Sequence, residues 1–519
     1  MHILSSVGKR TLAGMLAAHA CHQPEREFLI FEDTAQQVET FSWKRADEIV
    51  NRIAALFYEH GVSQGTKVNI HLTNCPEFVF SWFACARLGA IIVPTNTASS
   101  LNELSYILQH AECKISVTAP AYAQQFADIR AFYPVLQEVF IIDQEPFATA
   151  MRSTSTVSAP SIKVRSEDEA AILYTSGTTA KPKGVLVTHA NYVYAGETIA
   201  KGMRLGPEDR FLTVLPLFHG NAQYYSMMSV LVTGATLLLM DRFSASRYFA
   251  QAIRHRASVA SLFAAPMRML LAQPYDSQAR SHRLRLAIFA QNLSPSQLQE
   301  WEERFAVPLM QIYGMTETMG TPLMNPLDDK RDPLSIGRPA PGYVCRVVDD
   351  NGNDVPAGIV GQLLVGGLPG ISLMRGYYKD EAATKAALKD GWLYTGDNVS
   401  YTEDGYVYFV DRRKDMIKRA GENIAASEVE SVIKEHPAIF DVAVVGVPDA
   451  MRDEAIVAFV VPRQGSSISE QEVMSWCSAR LAKFKVPSFV QLVDTLPRTS
   501  VGKIQKHVLR LKWQAAQQC

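Results

Sequence analysis

Tyr174–Val185, YTSGTTAKPKGV, packs hydroxyl side chains (Thr175, Ser176, Thr178, Thr179), two glycines and two lysines into one short segment. The apolar run Ala170–Tyr174 leads into it and has the character of a buried strand. Small residues let a backbone approach closely, so such a loop can fold its N–H groups and hydroxyls around phosphate oxygens while the lysines offset anionic charge. It is not a Walker A loop, because that pattern needs glycine where this chain has Pro182. By itself the segment also reads as a polar surface turn with its lysines in water.

Outward from this loop, short apolar runs alternate with helical patterns. Val68–Leu72 reads as a strand, Asn74 as the cap of a helix with Pro76 in its first turn and Gly89 beyond its end, and Ala90–Val93 as the next strand. That β-α-β order favours a parallel sheet covered by helices. A later helix opens at Ser294, with Pro295 in first position and Gln297 completing a capping box, and Leu298, Trp301 and Phe305 fall on one face. From about Ser335 to Val410 the texture changes to short runs between Gly, Pro, Asn and Asp, as in small antiparallel sheets. Charge concentrates at Asp411 in DRRKDMIKRAGENI. Ser427 and Glu430 suggest a capped helix beyond it, Asp441–Val447 and Ala455–Val461 two strands, and Ser469 with Glu472 another capped helix. The last hundred or so residues therefore read as a small separate α+β domain.

The chain has 519 residues, 47% hydrophobic and 20% charged, as in globular proteins with large cores. A formal net charge of −1 offers no basic field for nucleic acid. Seven cysteines, spread singly, read as reduced thiols of a cytoplasmic protein. His19, Cys21 and His22 form one soft-ligand cluster, with no second cluster to complete a metal site. No secretory signal is evident, and Gln-Gln-Cys is not a peroxisomal address. The most apolar stretch, Met227–Met240, is too short to span a bilayer and reads as buried core.

Four further segments carry chemistry. Tyr313–Glu317, YGMTE, sets a hydroxyl beside a carboxylate, and a carboxylate near phosphates commonly holds Mg²⁺. The same residues also suit an ordinary helix start. Trp392–Asp397, WLYTGD, ends a strand with an Asp that can accept two hydrogen bonds from a ribose diol, or is simply a turn. Arg412 and Lys414 stand at the inter-domain junction, and PRTSVGKIQK places Lys503 after a glycine near the C-terminus.

In this order, YTSGTTxxPKG, YGMTE, TGD, RxKDxIK and PRTxxGK resemble the adenylate-forming enzyme superfamily, specifically its acyl-CoA synthetases. The resemblance runs over nearly the whole chain from Asn74–Thr97 onward. Within the superfamily, Phe289–Leu293 (FAQNL) and the context YGMTETMG resemble crotonobetaine/carnitine-CoA ligases. The resemblance implies an α/β fold. Its large N-terminal domain (1–411) would hold stacked mixed and parallel α/β sheets with a small β-barrel-like subdomain, and a small mobile α+β cap (412–519) would follow. It implies an ATP-dependent acid–CoA ligase that uses Mg²⁺ and takes a small carboxylic acid, ATP and CoA, with a homodimer left open. Thr175, Ser176, Gly177, Thr178, Thr179 and Lys183 would cradle the β- and γ-phosphates. Thr316 would contact the α-phosphate, Glu317 help hold Mg²⁺, and Asp397 and Arg412 take the ribose hydroxyls. Phe289, Ala290 and Gln291, with Tyr313 and Gly314, would border adenine and the acyl group, and His219 would gate the acyl pocket unless it is an ordinary polar residue at a strand end. Lys503 would bridge the acyl carboxylate and the α-phosphate. Lys414 would be the hinge of a rotating cap, Gly421 would line the pantetheine tunnel, and Lys418 would complete the cofactor-side set.

The chain departs from the family pattern at Ala180, where a third loop glycine is usual, and at Gln362, where Glu is usual. The bulk and amides of FAQNL suggest a short or polar acid. Tyr224 and Tyr225 offer an aromatic face for a quaternary ammonium, or are core. Alternatives are a short- or medium-chain fatty or aryl acid as substrate, a carrier protein as acceptor in place of CoA, and a catalytically silent nucleotide-binding protein.

Overall fold

The computed structural model describes residues 7–175, 182–290, 293–327, 331–412, 415–419, 422–449, 453–498 and 504–517, with the backbone alone at 412, 422, 423 and 517. The strand Lys67–His71 pairs in parallel with Ile91–Pro94 and with Ile115–Thr118, so the expected β-α-β unit is present. Its pleat sends Val68 and Ile70 into one hydrophobic cluster, while Asn69 and His71 are buried too. Burial on both faces is what a parallel sheet covered by helices demands. This sheet has seven strands among the described residues, and the hairpin Glu169–Thr175 and Lys183–Thr188 extends it antiparallel.

A nine-stranded sheet is parallel from Leu309–Tyr313 through Leu286–Ala290, Val259–Phe263, Arg210–Thr213 and Thr236–Met240 to Glu27–Glu32, with antiparallel strands at both edges. One hydrophobic cluster draws side chains from both sheets, from Phe28 and Val68 to Ile288 and Met310, so the two are stacked over a shared core. Where a β-barrel-like subdomain is expected, Val344–Val348, Gly361–Gly366, Trp392–Tyr401, Leu388–Lys389 and Val407–Arg412 form a five-stranded antiparallel sheet. Beyond it, two hydrophobic clusters consist only of residues from Ile417 onward, packed about a sheet dominated by Ile439–Asp449 and Asp453–Pro462. A core of its own is what lets a small α+β unit fold as a separate body.

Local signals that need only local partners are realised. Ser294 Oγ accepts from Gln297 N at 3.2 Å while Gln297 Oε1 accepts from Ser294 N at 3.1 Å, and Ser469 and Glu472 make the same reciprocal pair. Three readings need correction. The helix Pro76–Arg87 is capped by Cys75 with no side-chain bond. The Asn74 amide instead donates to Leu215 O and Met240 O, each at 3.0 Å, and accepts from Leu217 N at 2.8 Å. Three buried backbone groups need partners there, and an Asn supplies both donors and an acceptor. The helix Ala426–Lys434 has Ala425 as its N-cap without a side-chain bond. Ser427 lies inside the helix, where its hydroxyl donates to Val410 O and its N–H to Asp411 Oδ2 at 3.1 Å. Glu430 accepts from Val444 N at 2.8 Å and pairs with Lys506 at 2.9 Å. Finally, Asp397 does not end a strand. It sits within Trp392–Tyr401, beside Gly396 at φ +74° and next to a register shift between Asn398 and Val399. Such a bulge re-aims side chains without ending the ladder.

The close approach of the helices His189–Met203 and Met228–Thr233 depends on Gly196, where a Cβ would meet the Met228 carbonyl carbon at 2.7 Å. Backbone atoms cannot rotate away, so Gly196→Val is expected to destabilise the protein by about 3 kcal/mol. Urea unfolding followed by tryptophan fluorescence measures this, and an unchanged midpoint would refute the contact.

Candidate active site

The strands on either side of the hydroxyl-rich loop, Glu169–Thr175 and Lys183–Thr188, pair antiparallel. Thr175 ends one strand and faces Lys183 at the start of the next. A Walker loop leads into a helix instead, so the exclusion made on Pro182 is matched by the geometry. Ser176, Gly177, Thr178, Thr179, Ala180, Gln291, Lys414, Gly421 and Lys503 lie outside the described residues, as does the side chain of Arg412. The hairpin is braced at its base. Tyr106 donates to Pro182 O at 3.3 Å, His110 Nδ1 lies 2.6 Å from the Tyr174 hydroxyl, and Tyr378 N donates to Gly184 O at 2.7 Å.

Glu317 and Thr316 lie on a short 3₁₀ turn, Thr316–Thr318, that follows the strand Leu309–Tyr313 of the nine-stranded sheet. The turn is held by side chains distant in sequence. Tyr343 donates to Thr318 O at 2.8 Å and accepts from Gly320 N at 3.0 Å, and Tyr224 donates to Thr316 O at 3.5 Å. Glu317 is 6% exposed, and its Oε1 accepts from the Tyr377 hydroxyl at 2.9 Å. Burial and then the charge of Glu317 raise the Tyr377 phenol, so it stays protonated and donates. The Tyr377 ring also carries Lys183, whose Nζ lies 5.0 Å from the ring centroid. The hairpin lysine Lys183 and the YGMTE carboxylate Glu317, which follows a strand of the other sheet, thus meet on one tyrosine.

On the other flank, Tyr313 donates to Asp397 Oδ2 at 2.6 Å, and Asp397 stands opposite Arg412 in the ladder of the small sheet. Gly314 has no room for a side chain, because a Cβ there would meet the Tyr225 hydroxyl at 2.5 Å and Gly320 O at 2.8 Å. Phe289 and Ala290 end the neighbouring strand, with Ala290 paired to Phe263. The Phe263 ring meets that of His219 edge-on at 6.1 Å. His219 accepts from Asn221 N through Nδ1 at 3.4 Å and precedes a π-helical turn, Asn221–Met227, rather than ending a strand. Wide turns of that kind recur at functional sites because they push side chains off the α-helical positions.

Tyr313, Gly314, Thr316 and Glu317 thus follow the end of one parallel strand, joined through Tyr377 to Lys183 and through Tyr313 to Asp397. Phe289, Ala290 and His219 form the adjoining wall. Lys418 is not joined to this cluster by any described contact. It is exposed on the strand Met416–Arg419, and its N–H donates to Glu454 Oε2 at 2.6 Å. Tyr224 and Tyr225 are both buried, as the core reading had it, yet their hydroxyls reach Thr316 and Gly314. Sequence reasoning passed over Tyr377 and Tyr343. Their one local signal is an aromatic residue beside a glycine or proline in a loop-rich tract, and many surface turns share it.

Comparison with known proteins places this geometry. The AMP-binding enzyme family model matches residues 16–378, and the AMP-binding enzyme C-terminal domain model matches residues 428–503. A crotonobetaine/carnitine–CoA ligase of Salmonella agona (strain SL483) is 39% identical over 514 residues, covering 97% of this chain and 99% of the relative. ATP-bound MatB from Rhodopseudomonas palustris is 30% identical, with a TM-score of 0.88 over 97% of this chain and 99% of MatB. The anthranilate CoA ligase AuaEII in complex with anthranoyl-AMP is 26% identical, also with a TM-score of 0.88, over 98% of each chain.

Proposed function

The chain belongs to the AMP-binding enzyme family and is an adenylate-forming acyl-CoA ligase; on that premise we propose that its acid is a short carboxylic acid bearing a quaternary ammonium, of the crotonobetaine or carnitine type. The near full-length identity to crotonobetaine/carnitine–CoA ligase carries this reading. A quaternary ammonium has no hydrogen to donate and would be held by aromatic faces; Tyr224 and Tyr225 are core residues of the site's floor, so they do not by themselves identify the acid.

The reaction uses ATP and CoA. The acid's carboxylate oxygen attacks the α-phosphorus and pyrophosphate leaves. The CoA thiol then attacks the acyl carbonyl and AMP leaves with the electron pair of the broken C–O bond. Two anions meet in the first step, so the protein's task is charge neutralisation and alignment. Thr175, Ser176, Gly177, Thr178, Thr179 and Lys183 receive the β- and γ-phosphates, and Thr316 the α-phosphate. Asp397 and Arg412 take the ribose hydroxyls. Phe289, Ala290, Gln291, Tyr313 and Gly314 border adenine and the acyl group, with His219 at the acyl entrance. Lys503 brings an ammonium between carboxylate and α-phosphate. A buried carboxylate is a hard oxygen donor suited to Mg²⁺, so Glu317 fits the family's metal, which when bound neutralises phosphate charge. The domains divide at 411/412. The cap turns about Lys414 between the half-reactions, which brings Gly421 and Lys418 to the pantetheine path. No helix among the described residues is long and apolar enough to cross a membrane. The enzyme works in the cytoplasm, where ATP and CoA are at hand.

The test is CoA-dependent AMP release with carnitine, crotonobetaine, γ-butyrobetaine, butyrate, benzoate and anthranilate. The betaines are expected to exceed the others by at least about 100-fold in kcat/KM, the scale on which a desolvated cationic group and its aromatic contacts discriminate. Faster turnover of butyrate or an aryl acid would overturn the betaine reading and leave the ligase chemistry intact.

A further inference from the structure

Tyr377 belongs to the two-residue strand Gly376–Tyr377, which pairs antiparallel with the outer edge of the phosphate hairpin, Tyr377 opposite Val185. Its backbone is pinned, because Tyr377 N donates to Thr384 Oγ1 at 2.8 Å. Three residues earlier, Met374 N donates to Glu317 O at 2.9 Å. The segment 374–377 is thus a strap, tied at one end to the Glu317 backbone and at the other to the hairpin. The Tyr377 side chain repeats that tie with charged groups. Its hydroxyl reaches Glu317 Oε1 at 2.9 Å and its ring lies against the Lys183 ammonium at 5.0 Å. Lys183 lies in one sheet and Glu317 follows a strand of the other, separated by more than a hundred residues of chain, and nothing local sets their spacing.

We propose that Tyr377 is the positioning residue that sets the Glu317 carboxylate and the Lys183 ammonium at a fixed separation, so that metal and phosphate oxygens are met together. The proposal rests on the reading of Glu317 as metal ligand and Lys183 as phosphate ligand. The two contacts are chemically separable. The hydroxyl fixes which way the carboxylate faces, and a residue that orients a metal ligand governs metal affinity more than overall folding. The ring holds the ammonium through its face, which governs phosphate affinity.

Three variants of the full chain separate the roles: Tyr377→Phe, Tyr377→Leu and Glu317→Gln. Binding of a fluorescent ATP analogue is titrated with Mg²⁺ in the absence of acid, and the KM for the acid is measured alongside. Tyr377→Phe keeps the ring and is expected to raise the half-saturating Mg²⁺ concentration about 10-fold. ATP affinity at saturating Mg²⁺ and the acid KM should stay within about twofold, since the ring contact with Lys183 survives. Tyr377→Leu is expected to add about a threefold loss of ATP affinity at saturating Mg²⁺. A Tyr377→Phe titration that overlays the parent, or a loss spread equally over Mg²⁺, ATP and acid, overturns the proposal. Glu317→Gln tells the two levels apart. If it leaves the Mg²⁺ titration unmoved, the metal reading itself falls and Tyr377 with it. If it shifts the titration while Tyr377→Phe does not, only the positioning role falls. The acid is absent from the binding arm, so a wrong acid assignment cannot alter it.

Discussion

Lys503→Ala is expected to cut pyrophosphate release by about 1,000-fold, while thioester formation from supplied acyl-adenylate and CoA stays within a few-fold of the parent. The asymmetry follows from where charge builds. In adenylation a carboxylate and a phosphate approach each other, and an ammonium between them is worth several kcal/mol at a water-excluded centre. In the second step the electrophile is a carbonyl already joined to AMP, and no second anion needs neutralising. Residues 499–503 lie outside the described residues; on either side of them Arg498 and Ile504 form a bridge and Gln505 N donates to Pro497 O at 2.8 Å. Arg498 is in turn paired with Asp441, a 2% exposed carboxylate that Lys434 also approaches at 3.5 Å. Under the proposed cap rotation, residues anchored to Asp441 in this way would move together with the C-terminal unit. Equal losses in both half-reactions would contradict that division.

Glu317→Gln is expected to lower kcat/KM for ATP by about 100-fold or more, since one preorganised charged ligand at the phosphates is lost. Glutamine keeps the shape of the side chain and an acceptor for the Tyr377 hydroxyl, so the fold around the 3₁₀ turn should survive and the thermal midpoint should stay close to the parent's. Raising Mg²⁺ should recover part of the rate if the defect is weakened metal binding. A Glu317→Gln enzyme with parental kinetics at low Mg²⁺ would remove Glu317 from the site.

What was legible in the sequence divides by distance along the chain. The capping boxes at Ser294 and Ser469 were readable because donor and acceptor lie three residues apart. Asn74 and Ser427 carry the same kind of side chain, yet their hydroxyl or amide is spent elsewhere. Asn74 bonds Leu215 and Met240, 141 and 166 residues on, and Ser427 bonds Val410 across the junction of the two cores. A helix end with no local cap tolerates that loss, because water can satisfy its first N–H groups, whereas a buried carbonyl has no other donor. Asp397 read as a carboxylate at a strand end rather than as a bulged mid-strand residue, since a register shift depends on the partner strand.

The site shows the same boundary. Thr175, Lys183, Thr316, Glu317 and Asp397 stand out in the sequence because phosphate, metal and ribose chemistry require those residue types in runs with glycine. Tyr377 and Tyr343 do not, because an aromatic side chain has no chemical signature until its neighbours are known. The individual motifs and the separate C-terminal unit were legible in the sequence from residue type and local spacing, and the reaction class from the order of those motifs along nearly the whole chain, which resembles the family's. Only the tertiary structure decided that a hairpin lysine and a turn glutamate that follows a strand of the other sheet share one tyrosine, because contacts between groups sixty or more residues apart are set by how whole sheets stack, and no local pattern records that.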